Sequence, residues 1–219
     1  MAEEREGRAD ILIYGGGGHG RSLLDLLHLL ARYRVVGIVD DGLPAGEQVM
    51  GLPVLGGASV LHELRQKGVE LAVNAVGGVG APQVRISVFE RLKEAGFRCP
   101  ALVHPAAFVE PSARLAEGAQ ILPRAYIGTL VEVGFGVIVN NGAIVSHDCR
   151  LGDYASLAPG AVLAGGVDVG RAAQIGMGVT VNLGLRIGEN ARIGNSAVVK
   201  ADVPAGGRVK AGALWPPQE

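Results

Sequence analysis

Ile127-Gly-Thr-Leu-Val-Glu-Val133-Gly-Phe-Gly-Val-Ile-Val139-Asn-Asn-Gly-Ala-Ile-Val145-Ser-His-Asp-Cys-Arg-Leu151 places an aliphatic residue at every sixth position. The phase extends without an insertion from Val103 to Val199, through seventeen positions. Four residues after each of them stands another small or aliphatic residue, from Ala113 through Ala125, Val137, Ala143, Cys149 and Ala161 to Val203. A helix turning every 3.6 residues would scatter such positions around its surface. A short strand does not, because positions two apart share a face. The residue between them points outward, and the three after each repeat position form a corner. The first corner position is Gly at 128, 134, 152, 170, 176, 188 and 194 and Asn at 140 and 182. These types tolerate left-handed backbone best, so left-handed residues are expected there.

The pattern predicts a prism of three-residue strands and tight corners, the hexapeptide repeat of a parallel β-helix, over residues 103–219 with a short C-terminal tail. Val137, Ile138 and Ala143-Ile144 are taken to lie along outward faces. A face of that kind is expected to be covered by further copies of the chain.

Residues 1–102 read differently. Ile11-Leu-Ile-Tyr14 is a strand, Gly15-Gly-Gly-Gly-His-Gly20 a turn, and Arg21 to Tyr33 a leucine-rich helix. Arg34 to Asp40 is a second strand with Asp41 after its acidic end, Gly57 to Lys67 a helix, Glu70 to Val76 a strand, and Pro82 to Ala95 a helix. Strand, glycine turn, helix and acid-ended strand make a βαβ nucleotide-binding unit, with Gly15, Gly17 and Gly20 in G-x-G-x-x-G spacing. A full dinucleotide fold needs two such halves, so a nucleotide diphosphate is expected here rather than NAD. The fold class is thus α/β followed by all-β.

Among five histidines, His28 and His62 sit in helical stretches, and His104 precedes Pro105 at the junction. His147 stands at the second corner position of Val145-Ser-His-Asp-Cys-Arg150, where the fold neither needs nor buries it. Asp148 can hold its ring in one tautomer, the arrangement of a general base. Cys149 falls in an inward slot and is read as core. Eighteen residues beyond His147 stand Gly165 and Gly166. With eighteen residues per coil, that bare corner stacks on the histidine, leaving a channel for an acyl carrier and exposed N–H groups for an oxyanion.

Composition narrows the classes further. Glycine is 35 of 219 residues, aromatics only 4%, and net charge −1, which gives a nucleic-acid surface no electrostatic support. No apolar run approaches a membrane span, and the charged start Met1 to Asp10 lacks a signal peptide's apolar segment. Cys99 and Cys149 make no disulfide framework or zinc cluster. The expectation is a soluble, cytoplasmic protein without a metal.

The glycine turn, Asn140-Asn-Gly-Ala-Ile-Val-Ser-His-Asp-Cys149 and Leu157-Ala-Pro-Gly-Ala-Val-Leu-Ala-Gly165 together resemble the bacterial sugar acetyltransferases of the hexapeptide superfamily, which N-acetylate nucleotide-linked amino sugars or O-acetylate sialic acid. The resemblance implies a left-handed coil, acetyl-CoA as donor, and a homotrimer with active sites between protomers. It implies His147 as base with Asp148 tuning it, Asn140 as a further catalytic residue, and Gly17, Gly18, His19, Asp40, Asp41 and Gly77 near the nucleotide sugar. Ser156, Gly165, Met177 and Asn195 fall near the acetyl-CoA. Ser156 stands where members often carry a second histidine. Gly77-Gly-Val-Gly-Ala-Pro82 replaces a Gly-Asn-Asn segment, and Ala213-Leu-Trp-Pro-Pro217 replaces a basic ending. O-acetylation of a sugar hydroxyl and a non-catalytic scaffold are the rival readings. A zinc hydratase would want three histidines, and the repeat holds His147 with His104 at its mouth.

Overall fold

The structure, a computed structural model, describes residues 7–78, 80 and 82–217. The charged start Met1 to Glu6, and Val79 and Ala81 of the Gly77–Pro82 segment, lie outside the described residues. Two compact units result. One comprises the chain up to Gly77 with Gln83–Pro100, and the other comprises Gly78–Pro82 with everything from Ala101 onward.

The first unit is a sheet flanked by helices. Its elements are β1 (Ala9–Tyr14), α1 (Gly18–Leu30), β2 (Tyr33–Val39), β3 (Gln48–Val49), β4 (Leu52–Gly56), α2 (Leu61–Gln66), β5 (Leu71–Asn74) and α3 (Pro82–Glu94). The strand order is β3-β4-β2-β1-β5, parallel except for β3. Ile11, Leu12 and Ile13 are fully buried, and α1 turns Leu23, Leu24, Leu26 and Leu27 inward, as its leucine spacing predicts. The β3–β4 hairpin is absent from the sequence reading. Its two-residue loop, Met50-Gly51, has positive φ at both positions (48° and 79°), the geometry that matches strand twist. Pro53 and Gly56 hide β4 from a propensity reading.

The second unit is the left-handed parallel β-helix. Three parallel sheets form its faces. Face 1 runs from Leu102–Val103 to Arg208–Val209, face 2 from Phe108–Val109 to Leu214–Trp215, and face 3 from Arg114–Leu115 to Arg186–Ile187. Register partners are eighteen residues apart, as Ile127 with Val145 and Val145 with Leu163. Each coil sends its repeat residue and the small residue before the next strand into one core. Ala143, Val145, Cys149, Leu151, Ala155 and Leu157 are all at most 2% exposed. So few side-chain sizes suffice because every coil offers the same two slots.

The structure corrects four details. Strands are two residues long, because only the repeat residue and its predecessor pair with neighbouring coils. Left-handed residues occupy the third corner position, not the first: Arg124, Leu130, Gly136, Gly142, Asp148, Tyr154, Gly160 and Gly166 all have φ between 58° and 69°. Glycine at the first position answers a different need, close stacking. A Cβ on Gly152 would lie 2.7 Å from the Arg171 nitrogen, and one on Gly170 2.5 Å from the Glu189 nitrogen. Val137 and Ala143 face the core and Ile138 is buried, leaving Ile144 outward of the residues assigned to outer faces. Finally, the chain after Val199 is a coil rather than a tail. A two-residue shortening gives a sixteen-residue register, pairing Ile187 with Val203, Ile193 with Val209 and Val199 with Trp215. Trp215 packs against the core, and its indole N–H donates to the Asp202 carbonyl (3.0 Å).

Candidate functional site

In the first unit the three fingerprint glycines do three different things. Gly15 has φ 115° and turns the chain against Ala75. At Gly20 a Cβ would lie 2.0 Å from the Gly15 carbonyl oxygen, so this glycine permits α1 to pack on the turn. Gly17, the N-cap of α1, has nothing within 4 Å of where its Cβ would be, and no side chain caps the helix. No side chain therefore obstructs the start of α1 at Gly17, and the partial positive charge of a helix N-terminus favours an anion there. A hollow of about 550 Å³ lies here, lined by Gly16, Gly17, Arg21, Asp40 and the loop to Met50. Asp40 shapes its floor by accepting from Gly16 N–H (2.7 Å) and Gly42 N–H (2.8 Å).

Asp41 has a different task. Its carboxylate accepts from Ala58 N–H (2.8 Å), the Tyr14 hydroxyl (2.8 Å) and Arg91 (2.8 Å), tying β1, β2 and α3 together. The Ala58 N–H, then Tyr14 and Arg91, hold this carboxyl below the usual range against the opposing effect of burial. Burial pushes the Tyr14 hydroxyl up, with Asp41 beside it adding to the effect. Gly77 adjoins His19, whose Cβ is 3.8 Å from the position of a Gly77 Cβ.

In the second unit His147 sits on the edge between faces 2 and 3, its side chain 62% exposed. Its Nδ1 is 2.7 Å from Oδ2 of Asp148. The left-handed Asp148 (φ 58°) swings that carboxylate back onto its neighbour's ring. Gly165 lies one coil on, and the space over it is not an empty channel. A Cβ there would lie 2.5 Å from both Cε1 and Nε2 of His147, so the imidazole rests on this glycine. Two N–H groups at the same corner position are capped from the next coil, Phe135 by Asp153 and Met177 by Asn195. Among the described residues nothing accepts from the Gly165 N–H, because Leu183 follows it on that edge. Cys149 points inward and is fully buried; burial raises its thiol out of the reactive range.

A groove of about 380 Å³ runs along face 1 and the edge between faces 1 and 2. Asn140, Ser156, Met177 and Asn195 line it, with Gly78, Ile138 and Gln174. Ser156 is committed to the protein itself, its hydroxyl donating to the Gly78 carbonyl (2.9 Å), while Gln174 donates to that of Gly80 (3.2 Å). Met177 is half exposed to the groove. At its far end Arg192 and Arg208 occupy consecutive rungs in register, two like charges side by side.

The structure thus gathers Asn140, Met177 and Asn195 on one edge with Ser156 on the adjoining face 1, and His147, Asp148 and Gly165 on the next edge. Within one chain all of face 2 separates the two groups. Gly17 and Asp40 meet in the hollow of the first unit. Sequence reading missed Arg21, Arg192 and Arg208. The only signal for the last two was their stacking, and that is hidden by the shortened final coil. No three His, Cys, Asp or Glu side chains cluster to hold a metal among the described residues, and no helix of theirs is long and apolar enough to cross a membrane.

A β-helix carrying a His–Asp pair, joined to a glycine-turn βαβ unit, defines a hexapeptide-repeat acyltransferase. Residues 10–92 match the family model described as the PglD N-terminal domain. A His-to-Asn variant of perosamine N-acetyltransferase from Caulobacter crescentus, solved with CoA and GDP-perosamine, is 34% identical over 91% of this chain and 92% of its own, with a TM-score of 0.87. The acetyltransferase domain of PglB from Neisseria gonorrhoeae, solved with acetyl coenzyme A, is 30% identical over 97% and 99%, with a TM-score of 0.84. WeeI from Acinetobacter baumannii is 25% identical over 93% and 97%, with a TM-score of 0.79. No sequence among curated proteins matches the chain. The chain belongs to the bacterial sugar acetyltransferases of the hexapeptide superfamily.

Proposed function

We propose that the chain transfers the acetyl group of acetyl-CoA to the amino group of a nucleotide-linked amino-deoxy sugar, working as a homotrimer. The observation that carries this reading is the His147–Asp148 pair on an exposed edge, with the side-chain-free Gly165 against the ring. Perosamine N-acetyltransferase and the PglB domain, similar over nine-tenths of the chain or more, support the donor and the amine acceptor.

The sugar amine attacks the thioester carbonyl. His147 Nε2 takes its proton while Asp148 holds Nδ1, and the Gly165 N–H faces the developing oxyanion. The tetrahedral intermediate collapses by expelling the CoA sulfur, which takes the proton from His147. The N-terminus of α1 with Arg21 suits the nucleotide diphosphate. The groove on face 1 suits the pantetheine arm, and Arg192 and Arg208 its phosphates.

Separation of the two edges favours a site completed between copies. Face 2 carries Phe108, Tyr126, Ile144, Val162 and Val198 outward in register, with Phe108 59% and Ile144 39% exposed. A threefold ring built on face 2 brings the groove edge of one copy to the histidine edge of the next.

The test is incubation with acetyl-CoA and UDP-, GDP- and dTDP-linked amino sugars, read by mass spectrometry. One acetylated amide product is expected. An ester product instead would assign O-acetylation, and no product from any of them would refute the reading.

A further inference from the structure

We infer that Gly165 is the seat of the His147 imidazole: its missing side chain aims the base, and the acyl donor is not what requires it. The inference rests on the proposed role of His147 and adds a positioning residue to it. The three atoms nearest to a Cβ at Gly165 all belong to that ring: Cε1 and Nε2 at 2.5 Å and Nδ1 at 3.1 Å. Neighbouring coils are only about 4.8 Å apart, so a ring tipped along the edge reaches the next coil at its bare corner. Two independent restraints then fix the base. The Nδ1···Oδ2 contact with Asp148 sets the roll of the ring, and the Gly165 backbone sets its tilt. Together they fix where Nε2 points.

Backbone geometry does not explain this glycine. Gly165 lies outside the left-handed region, whereas its neighbour Gly166 has φ 67°. Alanine at 165 meets no left-handed backbone strain, and the atoms nearest to its Cβ are those of the imidazole. To regain ordinary contact the ring must move by about 1 Å, a displacement that costs roughly 100-fold in well-aligned chemistry.

The experiment is a double-mutant cycle of Gly165→Ala and His147→Ala, read by melting temperature and by steady-state kinetics. Gly165→Ala in the native background is expected to lower Tm and to lower kcat about 10- to 100-fold, with the acetyl-CoA KM within about 2-fold. In the His147→Ala background the same alanine is expected to leave Tm unchanged or raise it, since there is no ring to displace. Equal Tm losses in both backgrounds would overturn the seat. So would an unchanged kcat with a raised acetyl-CoA KM, which would return the gap to the donor. Full activity in His147→Ala would instead remove that residue as the base, and the Tm cycle would still decide where its ring rests.

Discussion

His147 was legible as a single residue because the repeat leaves no structural use for a histidine at an outward corner. Its replacement by Asn is expected to lower kcat by ~10²–10⁴ with little change in KM, as deletion of a base does. Asp148→Asn is expected to cost less in steady-state kinetics, because an amide oxygen still accepts from Nδ1–H and Asn tolerates the left-handed backbone. What residue types alone did not reveal is the corner conformation. Glycine at the first corner position suggested left-handed backbone, yet it stands there because the next coil passes too close for a Cβ. The left-handed position behind it accepts Arg124, Leu130 and Tyr154, which no propensity marks. Asp41 makes bonds equally illegible in the sequence, accepting from Ala58, Tyr14 and Arg91 within the protein. Its pKa is lowered by folding, so its stabilising contribution is full above the ordinary carboxylate range near pH ~4 and fades as pH falls through the folded value. Acid titration of Tm is therefore expected to lose part of its steepness below that range in Asp41→Asn, and an unchanged curve would leave the Tyr14–Asp41–Arg91 link without weight.

At the scale of elements, the glycine turn separates packing from binding. Gly20→Ala drives a Cβ into the Gly15 carbonyl and is expected to lower Tm sharply while the β-helix core is untouched. Gly17→Val points into open space and is expected to lower Tm far less than Gly20→Ala while weakening the nucleotide sugar and sparing acetyl-CoA. Calorimetric titration of both ligands against both variants checks this, and equal weakening of the two ligands would mean the sites are misassigned. In the β-helix, Leu157→Ala empties one of the fully buried repeat slots and is expected to cost about 2–5 kcal/mol in denaturant unfolding. The period of six was plain because each coil repeats the same two inward slots. The β3–β4 hairpin was not, since a two-residue strand and a Pro-containing one carry too little alternation to be seen.

The whole molecule poses the question of how two edges of one prism serve one reaction. The outward row on face 2 answers it if copies pack there, and Ile144→Glu is expected to reduce a trimeric mass to a monomeric one in light scattering. Sequence identified the need for a covered face but chose Val137 and Ala143, which point inward; only the strand register separates the two sides of so short a strand. The most direct measurement is subunit complementation. His147→Asn lacks the base, and Met177→Arg blocks the groove on the other edge. Each is expected to be inactive alone. Co-expressed in equal amounts, they leave about a quarter of the interfaces with a native base facing a native groove. Recovery of activity toward that fraction is the predicted result. No recovery from mixed trimers confirmed by mass would contradict a site shared between copies.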